Sequence, residues 1–262
     1  MAPQETGLEI AGRELPAALV TGASYGIGAA VAVALARDGF DVAVTDLSAD
    51  TLGDTVSRVE AAGTRALPVA LDLRSQSSIR QSVGEAVRAL GTLDLLVNNA
   101  GVPLIKPALD ITPQEWDALI AVNLTGTFFI SQEMGRYLIG NQRPGAIISI
   151  ASTHGFTGAA GQSAYGISKA AVIHMTRMLA IEWAKYGVRV NGVAPGKVDT
   201  PSPVRQAVVA DPANRERMLA RIPLSRFARP EEVAAMVCYL AGPQATYITG
   251  QTLLLDGGLT AY

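Results

Sequence analysis

Cysteine is almost missing from this chain. Cys238 is alone among 262 residues, so no intrachain disulfide can form. It falls in an apolar helical stretch, Glu231 to Leu240, and reads as a small core residue. A reduced, cytoplasmic setting is expected. Charge of one sign is lacking too. The formal net charge is −2, and acids and bases mix along the chain. With no basic run, neither nucleic acid nor an anionic membrane surface is an expected partner. No uncharged apolar run is long enough to span a bilayer. The stretch from Met1 to Glu14 is polar and contains acids, which fits neither a signal nor a transit peptide. No Gly/Ser/Pro-rich linker, internal repeat or low-complexity segment divides the chain. The expected organisation is a lead over residues 1–15 and one domain over 16–262.

What is present is apolar. Hydrophobic residues make up 49% of the chain and glycine contributes 26 residues, enough to bury a sizeable core. Continuously apolar runs predict strands at Pro16 to Thr21, Asp41 to Asp46, Arg65 to Ala70, Leu93 to Val97, Gly145 to Ile150, Val188 to Val193 and Gln251 to Leu255. Helices are predicted between them: Gly26 to Arg37, Ala49 to Ala62, Ser75 to Leu90, one long helix from Thr112 to about Tyr137, and Ala164 to Ala184. A last helix starts at Pro230. Strands that do not alternate, each followed by a helix, indicate an α/β fold. It is a doubly wound, Rossmann-like, seven-stranded and mainly parallel sheet with helices on both faces. The pattern loosens from Asp199 to Arg229, an excursion expected to act as a substrate lid.

The turn Gly22-Ala23-Ser24-Tyr25-Gly26-Ile27-Gly28 joins the first strand to the first helix. A Gly-rich turn lets the backbone approach a pyrophosphate, and the helix N-terminus offers free N–H groups and a positive dipole end. Its spacing is Gly-x-x-x-Gly-x-Gly, unlike the commoner Gly-x-Gly-x-x-Gly. Asp46, at the end of the second strand, is placed to accept from a ribose diol and to repel a 2′-phosphate. Position 25 is Tyr rather than a cation, so NAD is favoured over NADP. Asp72, Leu73 and Asn99-Ala100-Gly101 also follow strand C-termini, where such sheets bind ligands. Asn98 is expected to be mainly structural and Asn99 to touch the cofactor.

Tyr165 and Lys169 stand four apart, on one face of the helix predicted there and one turn from each other. A free tyrosine has a pKa near 10. A neighbouring ammonium, with the positive ring of an oxidised nicotinamide, is expected to favour the phenolate.

Taken together, Thr21-Gly22-x-x-x-Gly26-x-Gly28, Asn98-Asn99-Ala100-Gly101, Asn123, Ser152, Tyr165-x-x-x-Lys169 and Pro195-Gly196-x-x-x-Thr200 resemble the short-chain dehydrogenase/reductase family. The match runs from Leu19 to Gly258. Ser152 stands thirteen residues before Tyr165, as the family spacing requires. The resemblance implies a hydride transfer between NAD(H) and a secondary alcohol or ketone. It implies Tyr165 as general acid/base, Lys169 lowering its pKa and holding the nicotinamide ribose, Ser152 orienting the substrate oxygen, and Asn123 holding a relay water. It also implies that the Val198 backbone and the Thr200 hydroxyl, beyond Pro195-Gly196, approach the cofactor. A dimer or tetramer is implied, through the long helix and the Tyr165 helix. No metal is expected.

His154 and Gln162, in the loop after Ser152, are candidates for substrate contact, with Lys106 as a further one. His174 reads as a packing or interface histidine. In the excursion, the arginines read as a solvated face, with Met218, Leu219 and Ile222 inward. The substrate stays open among sugars, polyols and small cyclic alcohols. The alternatives are a 3-oxoacyl thioester reductase or a non-catalytic NAD-binding regulatory protein.

Overall fold

The structure, a computed structural model, describes residues 16–202, 206–207 and 210–261. Arg205 and the N-terminal lead lie outside the described residues. Seven strands form the sheet: β1 (Ala17–Thr21), β2 (Asp41–Asp46), β3 (Ala66–Ala70), β4 (Leu95–Asn98), β5 (Gly145–Ile150), β6 (Val188–Pro195) and β7 (Thr252–Leu255). Their spatial order is β3-β2-β1-β4-β5-β6-β7, and every pairing is parallel. The fully buried strands β1 and β4 lie mid-sheet, which is why they read as unbroken apolar runs. Pro68, which has no N–H to donate, sits on the edge strand β3.

The helices divide between two faces. On one, α1 (Gly26–Arg37) packs with α8 (Pro230–Ala241), burying Val31, Leu35, Val233 and Val237. On the other lie α3 (Gln76–Leu90), α5 (Thr127–Gly140) and α6 (Ser163–Trp183), contributing Ile79, Ile130, Met134 and Val172. Each such side chain, fully buried, contributes about 1.5–3 kcal/mol. The shorter α2 (Gly53–Glu60) adds Val59 to the first cluster. Cys238 packs, partly buried, against that cluster. No helix among the described residues is long and apolar enough to cross a membrane.

The long helix expected from Thr112 is interrupted. Thr112 caps α4 (Pro113–Ile120) through a reciprocal capping box with Glu115. Residues Ala121–Gly126 then form a π turn before α5 begins. The turn is closely packed: a Cβ on Gly126 would lie 2.4 Å from the Leu73 carbonyl oxygen. The Thr127 hydroxyl donates to the Asn123 carbonyl at 3.1 Å, engaging the backbone acceptors that the wider turn leaves loose.

The excursion after β6 holds α7 (Pro212–Leu219). Its two ends are stitched together: Asp199 donates its N–H to the Ala228 carbonyl at 2.8 Å, and Ala228 donates to Lys197 at 2.8 Å.

Candidate active site

β1 has β2 on one side and β4 on the other, so the crossovers leave in opposite directions and a crevice opens beyond their C-terminal ends. Gly22 and Gly26 turn the chain there, both at φ +63°, a conformation that favours glycine. Asn99 closes the turn from behind, donating its amide to the Thr21 and Gly22 carbonyls at 2.9 and 2.8 Å. Its amide N–H groups thus hold the turn, while the residue still lines the crevice. Asn98 donates to Ser131 and Ser149.

A cavity of about 530 Å³ runs along this crevice, lined by Gly22, Tyr25, Gly26, Ile27, Asp46, Asp72, Leu73, Asn99, Ala100, Gly101 and Thr200, and reaching Tyr165. Ser24 and Gly28 lie behind it. The Ser24 hydroxyl donates to Asp46, and a Cβ on Gly28 would lie 2.1 Å from the Gly22 carbonyl oxygen. The Asp46 carboxylate also accepts from the Leu47 N–H at 2.8 Å. One lining residue escapes a reading of the first turn. Arg74 enters the same cavity from the loop after β3 and grips Asp72 at 2.8 Å. That guanidinium holds the Asp72 carboxyl below its ordinary value. The signal was one step from Asp72-Leu73, but nothing in the sequence joins that loop to Asp46.

A second cavity, of about 300 Å³, continues from the first. It is lined by Ser152, His154, Gln162, Tyr165, Lys169, Pro195, Gly196, Lys197, Val198, Thr200 and Met218, among others. The two share Ile27, Asn99, Gly101, Tyr165, Thr200 and Ser202. A glycine turn, a strand-end carboxylate and an elongated crevice ending at a phenol fit a nicotinamide dinucleotide. The cradle at Gly26 is the local test: Thr200 is the nearest group a Cβ there would meet, at 3.4 Å, whereas at Gly22 a Cβ would meet the Ala100 backbone at 2.9 Å.

Lys169 is buried, and its Nζ donates to the Ile150 carbonyl at 2.8 Å. It lies 5.8 Å from the Tyr165 ring centroid. Burial pulls its pKa down to about 8. Ser152 bonds the Tyr165 side chain, but burial outweighs this and pushes the phenol above its ordinary value. Without a cofactor, burial alone therefore sets the direction for the phenol. The cause is desolvation, which penalises the buried phenolate.

Asn123, in the π turn, is 1% exposed. Its Oδ1 accepts from the Val102 N–H at 2.8 Å, and its Nδ2 donates to the Val102 carbonyl and to Ser168. A Cβ on Gly101 would lie 3.3 Å from Asn123 Oδ1 and 3.5 Å from Lys169 Nζ, so the missing side chain keeps those two polar groups facing a shared space.

His154 faces the Tyr165 ring edge-on at 6.3 Å. Its N–H donates to Ser152 Oγ at 3.1 Å, and its Nε2 accepts from Lys197 Nζ at 3.3 Å. Burial, then Lys197 and Arg221, push its pKa down to about 4. Lys106 does not line this cavity, because Glu115 holds its Nζ at 2.8 Å. Lys197 had no sequence signal beyond following Pro195-Gly196. A larger apolar groove, of about 970 Å³, lies away from this chemistry, between α5 and α6, with Phe128, Phe129, His174, Met178 and Trp183 along it.

Comparison with known proteins adds four findings. Residues 22–260 match a family model described as enoyl-(acyl carrier protein) reductase. The chain is 39% identical over 241 residues to the 3-oxoacyl-(acyl-carrier-protein) reductase FabG of Thermotoga maritima, covering 92% of this chain and 96% of that protein. It is 37% identical over 245 residues to glucose 1-dehydrogenase of Gluconobacter oxydans, covering 93% and 91%. Among solved structures, a variant of actinorhodin polyketide ketoreductase with NADPH superposes at a TM-score of 0.89, with 35% identity and 95% and 98% coverage.

Proposed function

Because the chain belongs to the short-chain dehydrogenase/reductase family, a family of oxidoreductases, we propose that it moves a hydride between NAD(H) and a secondary alcohol or ketone. The single observation carrying this is the meeting of Ser152, Tyr165 and Lys169 in a cavity continuous with the crevice that ends at Asp46. The nicotinamide would supply the hydride donor or acceptor. Gly22, Tyr25, Gly26, Ile27, Asp72, Leu73, Asn99, Ala100 and Gly101 would line its path. Asp46 would take the ribose diol, with Ser24 and Gly28 supporting the turn. Pro195, Gly196, Val198, Thr200 and Lys169 would hold the nicotinamide end.

The substrate oxygen would sit between Ser152 and Tyr165. Tyr165 takes the hydroxyl proton on oxidation and returns it on reduction. Ser152 offers a neutral hydrogen bond that does not compete for that proton. Lys169 receives the proton, its lowered pKa suiting exchange near neutrality, and Asn123 holds the space by Gly101 through which it reaches water. Met218 and Ser202, from the excursion, line the substrate cavity, which supports a lid over residues 199–229.

A cavity of this size sits at the low end of ligand pockets, which favours a sugar, a polyol or a small cyclic alcohol. The resemblance to the FabG reductase supports a 3-oxoacyl thioester as the alternative. NAD is favoured by Asp46. NADP is a second reading, supported by Arg74 in the same cavity and by the NADPH of the ketoreductase relative. The groove between α5 and α6 supports a homo-oligomer, a dimer or tetramer. A reduced, cytoplasmic setting suits a protein with one free thiol. The test is a panel of alcohols and ketones with NAD and NADP, read by nicotinamide absorbance. Failure of every substrate despite tight cofactor binding would favour a non-catalytic regulatory protein.

A further inference from the structure

The strap over residues 102–106, which follows β4, enters the wall of the substrate cavity through Pro103 and Ile105. It is held at both ends. Asn123 clamps Val102, accepting from its N–H at 2.8 Å and donating to its carbonyl at 2.9 Å. Lys106 donates its N–H to the Gly161 carbonyl at 2.9 Å, and its Nζ grips the Glu115 carboxylate at 2.8 and 2.9 Å. Glu115 is itself held by the Thr112 N–H at 2.8 Å, in the cap of α4. Pro103 and Pro107 stiffen the strap further, because each ring locks φ.

The pinned strap sets Ile105 beside the start of α6, the helix that carries Tyr165. A Cβ on Gly161 would lie 3.8 Å from Ile105 Cγ2. Yet Ile105 is 52% exposed. Ile150 and Val198 also line the cavity, but at 6% and 7% exposed they already belong to the core. A lone exposed isoleucine is ordinary on an open surface. This one stands on a cavity wall, and the chain around it is anchored as a preorganised contact requires. Met218, half-buried, brings a second apolar side chain from the excursion. Polar groups of the same cavity are engaged: Ser152 bonds the Tyr165 side chain, Lys169 donates to Ile150, and His154 pairs with Lys197.

We propose that Ile105 is a specificity-determining residue: it packs on an apolar ring or branched chain attached to the reacting carbon, with Lys106 as the positioning residue that holds it there. This rests on the reading of Ser152 and Tyr165 as the reacting end. Within that reading it selects small alicyclic or aryl alcohols and ketones over sugars and polyols. A substrate hydroxyl pressed on Ile105 would lose water and gain no partner.

The probes are 4-methylcyclohexanone, 3-methylcyclohexanone and 4′-methylacetophenone, each against the counterpart with a hydroxyl in place of the methyl group, reduced with NADH or NADPH. The quantity read is the methyl-to-hydroxyl ratio of kcat/KM. For at least one pair the wild type should favour the methyl ketone about tenfold or more, the scale of one apolar group in a fitted pocket. Ile105→Thr, which puts a hydroxyl on the wall, and Ile105→Ala should each bring that ratio towards one, and Ile105→Val should keep most of it. Lys106→Met, which releases the strap without touching the Thr112 cap, should lower the ratio part of the way, and Lys106→Arg should restore it. A wild type that favours the hydroxyl member of every pair overturns the proposal and assigns the substituent to Gln162, which lines the same cavity. Equal use of both members overturns it too, as does a ratio unchanged in both Ile105→Thr and Ile105→Ala. A ratio untouched by Lys106→Met removes the positioning role.

Calorimetric binding of 4-methylcyclohexanol and of cyclohexane-1,4-diol to the NAD-loaded protein separates the two layers. If no ketone is turned over with either cofactor, the oxidoreductase reading fails. In that case, a preference for 4-methylcyclohexanol that Ile105→Thr abolishes still supports the apolar wall. Absence of any preference between the two alcohols overturns it.

Discussion

Lys169 and Ile150 are joined across the site: from α6, the lysine Nζ donates to the carbonyl at the last residue of β5, at 2.8 Å. That bond anchors the ammonium but leaves it desolvated, with a pKa of about 8 against an ordinary 10.5. Between those values the unfolded chain binds more protons than the folded one. The penalty from this group is full below about 8 and gone above about 10.5, so its contribution makes stability rise with pH in that window. Lys169→Met should remove the rise. Thermal melts of both proteins at about pH 7.5 and about pH 10 check the sign: the variant's advantage should shrink at the higher pH. An advantage that grows with pH would mean the lysine is not held below its ordinary value.

Tyr165→Phe removes the proton carrier and keeps the ring that packs against His154. Turnover should fall by about 10²- to 10⁴-fold, the usual share of a positioned acid/base. NAD binding, followed by calorimetry, should stay near the wild-type value. Because burial raises the phenol pKa, alcohol oxidation should climb from neutral to alkaline pH as the phenolate forms. A flat profile, or substantial activity in the phenylalanine variant, would remove Tyr165 from the chemistry.

Asp46 and Arg74 face one cavity with opposite charges. Asp46→Ser should raise the NADP-to-NAD ratio of kcat/KM by about tenfold or more, since one repulsive carboxylate leaves and one serine donor arrives. Arg74→Ala should lower the same ratio and also release Asp72. If the wild type already uses NADP as well as NAD, Arg74 rather than Asp46 governs the ribose end.

Much of this was legible in the chain. Unbroken apolar runs marked β1, β2 and β4 because those strands are buried on both faces, and strand-end glycines and acids marked the crevice. Tyr165 and Lys169 were visible because helical spacing alone puts them on one face. What escaped depended on contacts between distant segments. Arg74 joins Asp46 only through the order β3-β2-β1. Lys197 meets His154 only because β5 and β6 pair. The π turn had no signal in the sequence, and its tight neighbour, Leu73, belongs to a distant segment. The burial that raises the phenol pKa was not legible either, because sequence spacing counts charges but not desolvation.

Gly126 ties that π turn to the chemistry. An added Cβ would stand 2.4 Å from the Leu73 carbonyl oxygen and 2.6 Å from Leu73 Cβ. Both belong to the loop lining the cofactor crevice, so neither yields as a side-chain tip would. Gly126→Ala should therefore cost about 1–3 kcal/mol, as overpacking in a core does. It should also shift the turn that carries Asn123. Because Asn123 clamps Val102 through both its Oδ1 and Nδ2, the space by Gly101 and Lys169 should lose its shape. The expected signature is a lower Tm together with a kcat that falls more than cofactor affinity does. Pure destabilisation would lower Tm and leave kcat of the folded fraction unchanged, and that outcome would detach the π turn from the proton path.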